Sequence, residues 1–165
     1  MKFLLPFPIL LILVATFVDT ISVKRQTWRG YEALNSVPDE ERVRLSERLR
    51  SLIEYQSSEQ WEKVYELLPN PKSATKDRYV GDISKHKRTK LEAFIPRNAV
   101  FAPTSNAWVI GGCAKFRENR VVREMPALTY AIKQDGEWYL YPIGRFPKTA
   151  RNEPYEPSIL ELCSK

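Results

Sequence analysis

The residues that could carry out acid–base chemistry are few and widely spaced in this sequence. His86 is the single histidine, and it stands within a basic run that extends from Lys85 to Lys90. Neighbouring cations disfavour the protonated form of a histidine, and such a run is typical of a solvated helix end. Asp77 and Asp82 fall on a predicted helix, where both are expected to be exposed. No pattern therefore indicates a titratable group held beside a partner in a desolvated site.

Motifs for nucleophilic, phosphate-binding or metal chemistry are also missing from the sequence. It contains no Ser-His-Asp set, no G-x-S-x-G elbow and no glycine-rich phosphate loop. Its cysteines and histidine do not stand at metal-ligand spacing, so we expect no metal, no cofactor and no catalytic residue. A pocket carboxylate acting with a tyrosine remains the enzymatic alternative, because acids distant in sequence can meet in space. The acids considered for this role are Asp77, Asp82, Glu92 and Glu124.

The first residues predict export. Residues 3–18 form an apolar run that follows a short positive region. A membrane span needs roughly 20 apolar residues, so the run is more typical of a signal peptide. We predict that residues 1–22 are a signal peptide cleaved after Ser22, and that the protein is secreted, periplasmic or part of the cell envelope. Retention of residues 3–18 as a membrane anchor is the alternative, because Thr20 and Ser22 match the small-residue cleavage rule only loosely.

Cys113 and Cys163 are a candidate disulfide, because an even pair of cysteines in an oxidising compartment is expected to be bonded. The bond would connect a C-terminal tail to a strand. The alternative is two unpaired cysteines, one of them buried in the sheet.

The chain is basic, with a formal net charge of +6 and a pI near 9.3. Acidic residues are interleaved with the basic ones, and exported proteins rarely meet nucleic acid, so no nucleic-acid partner is predicted. The run at 85–90 could instead face an anionic surface such as phospholipid or polysaccharide.

Hydrophobic periodicity predicts three helices after a polar linker at residues 23–36. The apolar stripe of the first helix is Leu45, Leu49, Leu52 and Ile53. The second helix carries Trp61, Val64, Tyr65 and Leu68, and a third helix starts near Thr75.

The spacing of the apolar residues then changes from the helical period to the alternation expected for strands. Strands are predicted at Leu91 to Phe101, Ala107 to Phe116, Ala127–Gln134 and Glu137–Ile143. Gly111-Gly112 indicates a bulge or bend, Arg117 to Arg120 a polar turn, and Asp135-Gly136 a two-residue type I′ hairpin.

That hairpin sets which residues share a face of the sheet. One face carries Leu128, Tyr130, Ile132, Tyr139, Tyr141 and Ile143. The other carries Thr129, Ala131, Lys133, Trp138 and Leu140. Neither face is plainly polar, and residues 144–165 are predicted to be an irregular tail.

The predicted chain has three helices followed by a curved antiparallel sheet that ends in an Asp-Gly-x-Trp hairpin. This arrangement resembles the nuclear-transport-factor-2-like superfamily, which includes scytalone dehydratase and polyketide cyclases. Its members share a cone-shaped α+β fold, a cystatin-like roll. The resemblance rests on Trp61 to Leu68, Thr75 to Ile83 and Gln134 to Leu140, and it covers about residues 38–143. We therefore predict one α+β domain over residues 37–143, with the three helices packed on the sheet.

The resemblance implies a conical pocket between the helices and the concave face of the sheet. The residues that would line it are Trp61, Tyr65, Thr129, Ala131, Trp138 and Leu140. Lys133 would lie at its rim. The tyrosine-rich face would then be the outer one and would form a homodimer; the reverse assignment of the two faces stays open.

These observations predict an exported binding or interaction domain without evident catalytic activity, whose apolar pocket takes a small hydrophobic molecule or a peptide. One alternative is a lyase, isomerase or hydrolase of the same superfamily. The other is an envelope-associated protein that is anchored by residues 3–18 and binds anionic surfaces through residues 85–90.

Overall fold

The computed structural model describes residues 29–69, 75–85, 89–145 and 163. The predicted signal peptide or anchor, His86 and most of the predicted tail lie outside the described residues. Within them the helices come first along the chain and an antiparallel sheet follows. The predicted α+β class, with helices on a curved antiparallel sheet, is confirmed.

The described helices are α1 (Arg29–Glu32), α2 (Asp39–Ser57), α3 (Trp61–Glu66) and α4 (Lys76–Lys85). The last three correspond to the predicted helices. The prediction of a linker at residues 23–36 is wrong for its second half, because α1 lies there and Leu34 is fully buried. The apolar residues of this segment are too few to show a helical period in the sequence, and they are buried because the sheet lies next to them. A hydrogen bond also joins the segment to the sheet: the Ser36 hydroxyl donates to the carbonyl of Ala99.

The sheet contains β1 (Thr89–Ala102), β2 (Ala107–Glu118), β3 (Val121–Gln134), β4 (Glu137–Leu140) and β5 (Gly144–Arg145). The first four strands form a meander in the order β1-β2-β3-β4, and β5 pairs with β3 beyond the end of β4. Residues 144 and 145, predicted to begin an irregular tail, are thus part of the sheet. The edge strand β1 carries Pro96 and two breaks of register, features that discourage pairing with a second sheet.

The two hairpins that β3 forms, with β2 before it and with β4 after it, both close with two-residue turns. Asp135 and Gly136 have φ angles of 51° and 82°, which confirms the predicted type I′ turn. Asn119 and Arg120 have φ angles of 48° and 75° between the paired residues Glu118 and Val121, so this turn has the same form. The sequence indicated only a polar turn there, because arginine is not a residue that favours positive φ.

The main core lies between the helices and one face of the sheet. Leu45, Leu49 and Leu52 of α2 are fully buried against this face. The buried residues that the strands contribute to the same cluster are Leu91, Phe94, Ala99, Ile110, Ala114, Phe116, Ala127, Ala131, Trp138 and Leu140. Burying a leucine is worth about 1.5 to 3 kcal/mol, so these contacts provide the main driving force for packing.

The end of β4 and the segment after it are held by hydrogen bonds from three places: α3's C-terminal end, β3 and a side chain of α2. Leu140 N donates to Leu67 O at 2.7 Å, and Tyr141 N donates to Tyr130 O at 2.9 Å. The side chain of Gln56 donates to Ile143 O at 2.7 Å and accepts from Ile143 N at 2.8 Å. This amide therefore satisfies both backbone groups of a residue that belongs to no strand.

The assignment of Ile143 to the tyrosine-rich face is wrong. Ile143 is 2% exposed and belongs to the helix-side core. The strand ends at Leu140, and Pro142 has no N–H to continue the ladder, so the alternation of faces stops before Ile143 is reached.

Gly112 is required by the close approach of β1 to β2. A Cβ atom at this position would collide with the carbonyl oxygen of Ile95 and would lie 2.8 Å from Cε2 of Phe94. The predicted irregularity at the glycine pair is found on the opposite strand, where the register breaks between Pro96 and Asn98.

We predict that Gly112→Ala lowers the free energy of unfolding by about 1 to 3 kcal/mol, because the added methyl group would push against a backbone carbonyl that cannot move freely. Urea unfolding measures the change. Gly81→Ala is the matched control: nothing lies within 4 Å of its Cβ position in α4, so the control should gain about 0.5 to 1 kcal/mol. Equal effects of the two substitutions would contradict the close approach.

We also predict that Gln56→Leu destabilises the fold by about 2 to 6 kcal/mol, because two buried backbone groups of Ile143 lose their partners at about 1 to 3 kcal/mol each. Ser51→Ala, at a partly exposed position of the same helix, should change stability by less than about 0.5 kcal/mol. A Gln56→Leu variant as stable as the wild type would show that the amide clamp contributes nothing.

Candidate functional site

The sheet face predicted to line the pocket is the face that the helices cover. Ala131, Trp138 and Leu140 belong to the helix-side core, and Leu140 and Ala131 are cross-strand neighbours. Thr129 is fully buried, and its hydroxyl donates a hydrogen bond to the carbonyl of Tyr141. The structure thus brings these four predicted residues together in the interior, on the two strands that the Asp-Gly turn joins. Lys133, predicted at the rim, pairs with Glu41 of α2 at 2.9 Å.

Trp61 and Tyr65, the other two predicted lining residues, lie one turn apart on α3. Trp61 is partly buried and packs against the helix-side core. The ring of Tyr65 contacts that of Tyr79 on α4, with the ring centroids 5.4 Å apart and the planes tilted by 51°. Lys76 of α4 also reaches Glu66 of α3 at 2.9 Å. The aromatic pair and this ion pair together join α4 to α3.

Three buried side-chain polar atoms in the described part of the chain have no hydrogen-bond partner. They are Tyr79 Oη, Asn98 Oδ1 and Trp138 Nε1. Leaving such an atom unpaired costs about 1 to 3 kcal/mol, so each one marks a place where a water or a ligand group would be favoured. Sequence reasoning found the ring of Trp138 but not this property, because the missing partner depends on what surrounds the indole N–H.

Burial raises the pKa of the Tyr79 hydroxyl to about 12. The cause is desolvation, which penalises the phenolate because it would lie among apolar groups instead of in water. Tyr79 is therefore a neutral hydrogen-bond donor at physiological pH and does not act as a general base there.

The four carboxylates considered for acid–base catalysis do not form a buried pair with a tyrosine. Asp77 and Asp82 are exposed on α4. Glu92 forms an ion pair with Arg117. Glu124 is exposed and lies 3.9 Å from Lys115 Nζ. These positions do not supply the desolvated carboxylate that the enzymatic alternative requires.

Cys113 and Cys163 are joined by a disulfide bond, with their Cα atoms 5.3 Å apart. Cys113 alternates along β2 with the helix-side residues, so the bond fixes Cys163 on the outer face of the sheet. Glu124 Oε1 lies 3.1 Å from Cys113 Sγ, which has no proton to donate in the bonded state. The bond spans 50 residues, and in the chain-entropy account it stabilises the fold by about 4 kcal/mol.

The outer face has its own small apolar cluster. Val109 and Leu128 are buried there, and Tyr130 packs beside them. The rings of Tyr130 and Tyr141 meet edge to face at 6.4 Å, as expected for two residues predicted to share this face. Tyr141 is 43% exposed.

The hairpin between β2 and β3 presents a surface that the sequence did not single out. We call residues Arg117 to Arg123 the β2–β3 tip. Val121 and Val122 are 53% and 44% exposed, and Arg120 and Arg123 are exposed and form no ion pair with a described residue. The tip therefore combines bare aliphatic side chains with uncompensated cations.

We predict that Tyr79 makes folding sensitive to high pH. Its pKa in the folded protein, about 12, lies above the ordinary value of 10.0, so its contribution to stability is fully present below pH 10 and is lost as the pH rises towards 12. The free energy of unfolding should fall more steeply over this interval in the wild type than in Tyr79→Phe. Parallel pH profiles of the two proteins would show that the hydroxyl is not desolvated.

Within the described residues, no helix is both long and apolar enough to cross a membrane, and no cluster of three or more acidic, histidine or cysteine side chains could hold a metal ion. Comparisons of the chain with family models, with curated proteins and with solved structures found no match.

Proposed function

We propose that this chain is an exported, non-catalytic binding domain of the nuclear-transport-factor-2-like type. Its ligand is a small, largely apolar molecule with a hydrogen-bond acceptor, which enters the space between the helices and the sheet. The observation that carries the proposal is the indole N–H of Trp138, a buried donor that has no hydrogen-bond partner among the described residues.

The surroundings of Trp138 support an apolar ligand. The residue is 3% exposed, and the cluster around it is made of aliphatic and aromatic side chains. Small-molecule sites are typically apolar, with a few polar groups that fix the orientation of the ligand. An indole can only donate, so the complementary group must be an acceptor such as a carbonyl oxygen.

The disulfide supports export, because such bonds persist in oxidising compartments and are rare in reducing ones. The same bond limits the proposal. Cys163 is fixed on the outer face of the sheet, so we do not extend the proposal to the homodimer that the resemblance implies for that face.

The positions of the carboxylates favour binding over the enzymatic alternative. Asp77, Asp82 and Glu124 are exposed, and Glu92 is engaged by Arg117. The buried polar groups on the helix side that lack a partner are the neutral donors of Tyr79 and Trp138, which can orient a ligand but do not accept a proton from it at physiological pH.

We predict that the protein binds 2-decanone about five-fold more tightly than 1-decene, because a net hydrogen bond to the ketone is worth about 1 kcal/mol. Competition with the fluorescent probe 8-anilinonaphthalene-1-sulfonate measures both affinities. Trp138→Phe keeps an aromatic side chain but removes the N–H, so it should abolish the preference for the ketone.

Trp108→Phe is the matched control. Trp108 is a partly buried tryptophan that packs against the same core, and its substitution should leave the preference for the ketone unchanged. Circular dichroism melts of both variants report whether they remain folded. A preference that survives in Trp138→Phe would mean that the indole N–H faces a buried water instead of a ligand, and would contradict the proposal.

A further inference from the structure

The two turns at the ends of β3 offer an internal comparison. Both turns place two residues at positive φ. In the turn after β3, the second of these is Gly136, which adopts a φ of 82° without a steric penalty. In the turn before β3, the same position is occupied by Arg120, whose φ of 75° brings its Cβ close to the backbone. The chain therefore accepts a strained arginine where glycine would fit better.

No contact with a described residue explains this arginine. Arg120 is exposed and forms no ion pair or hydrogen bond with a described residue. Backbone strain that persists without a stabilising contact is a reason to look for a function. The guanidinium lies at the end of a hairpin, where it is accessible to a partner from several sides.

The residues next to Arg120 add apolar surface to both sides of the hairpin. Val121 and Val122 are 53% and 44% exposed, and successive residues of a strand point to opposite faces. Arg123 is exposed two residues after Val121, and Val122 pairs across the hairpin with Arg117. Each valine is thus accompanied by an arginine on its own face.

On the neighbouring strand β1, Lys90 lies beside the tip, and its ammonium is 3.8 Å from Glu59 Oε2. Lys90, the last residue of the basic run noted in the sequence, pairs with Arg117, and Thr89 pairs with Glu118. Glu92 neutralises Arg117, whereas Arg120 and Arg123 have no described acidic partner. Within the tip, the arginines without a described acidic partner are therefore Arg120 and Arg123, which lie beside the exposed valines.

We propose that the β2–β3 tip docks onto the surface of an anionic phospholipid bilayer. The valines enter the boundary between headgroups and acyl chains, and Arg120 and Arg123 bind lipid phosphates through paired N–H donors. A soluble polyanion would be bound by the arginines alone and would leave the exposed valines without a role. A bilayer accounts for both kinds of side chain, and the basic net charge of the chain adds long-range attraction.

This docking surface is separate from the ligand site proposed above. β3 contains 14 residues between its two turns, which corresponds to about 45 Å of strand at about 3.3 Å per residue. Trp138 lies just beyond the far turn, so the residues around it are remote from the tip. Failure of one proposal would leave the other intact.

The test is co-sedimentation of the full chain with vesicles of phosphatidylcholine alone or with about 30% phosphatidylglycerol. Binding that depends on phosphatidylglycerol should weaken as salt is raised from about 0.1 to 0.5 M, because salt screens exposed charges. Every variant is compared in the same full chain, so any contribution of residues 3–18 is common to all of them.

Arg120→Gly is the informative variant, because it removes the cation and relieves the strain together. It should weaken binding to the anionic vesicles about five-fold, the effect expected for one arginine at such a surface, while its thermal midpoint is equal to or above that of the wild type. Arg97→Gln removes another exposed cation without an ion pair among the described residues, in β1. This control should change binding less than two-fold.

The double variant Val121→Thr with Val122→Thr separates a bilayer from other anionic partners. Threonine keeps the β-branched shape that suits a strand but removes apolar surface. Binding to anionic vesicles should fall several-fold, while retention on a heparin column should not change. Vesicle binding that is unaffected by both the Arg120 and the valine substitutions would overturn the proposal, as would binding to heparin without binding to anionic vesicles.

Discussion

The amide of Gln56 makes the contact on which much of the remaining arrangement depends. It bonds both backbone groups of Ile143, at 2.7 and 2.8 Å, in a segment that has just left the sheet. Because this amide replaces the missing ladder partners, the chain can turn away after β4 and bury Ile143 beside α2. The same segment then returns to β3 as β5. Helix and sheet are thus joined by directional bonds as well as by apolar packing.

The other half of the sheet is organised differently. At the far end of β3 from the Asp-Gly turn, β2 and β3 extend into the β2–β3 tip, whose residues 119 to 123 are all exposed. Towards the Asp-Gly turn, ion pairs from α2 to the hairpin, Arg48 to Glu137 and Glu41 to Lys133, supplement the apolar core. One long strand therefore connects a helix-covered interior with an exposed basic and aliphatic end. The two proposed activities follow from this division.

A large part of the fold could be predicted because its signals are local. The stripe of Leu45, Leu49 and Leu52 predicts α2, and Asp135-Gly136 predicts the hairpin with its register. That register correctly pairs Ala131 with Leu140 and Lys133 with Trp138. The errors occur where a local pattern ends. Ile143 changes face once β4 stops, and Leu34 is buried although the residues around it look like a linker.

The candidate sites could be predicted only in part. The sequence by itself determined the class of the fold, the order of its elements and the face that carries Trp138 and Leu140, because hydrophobic period and turn chemistry depend on neighbouring residues. Only the tertiary structure decided that the Trp138 indole lacks a partner and that Arg120 occupies a conformation suited to glycine. Partners and exposure are set by residues that are distant in the chain, and a sequence does not show which of its distant residues will come into contact.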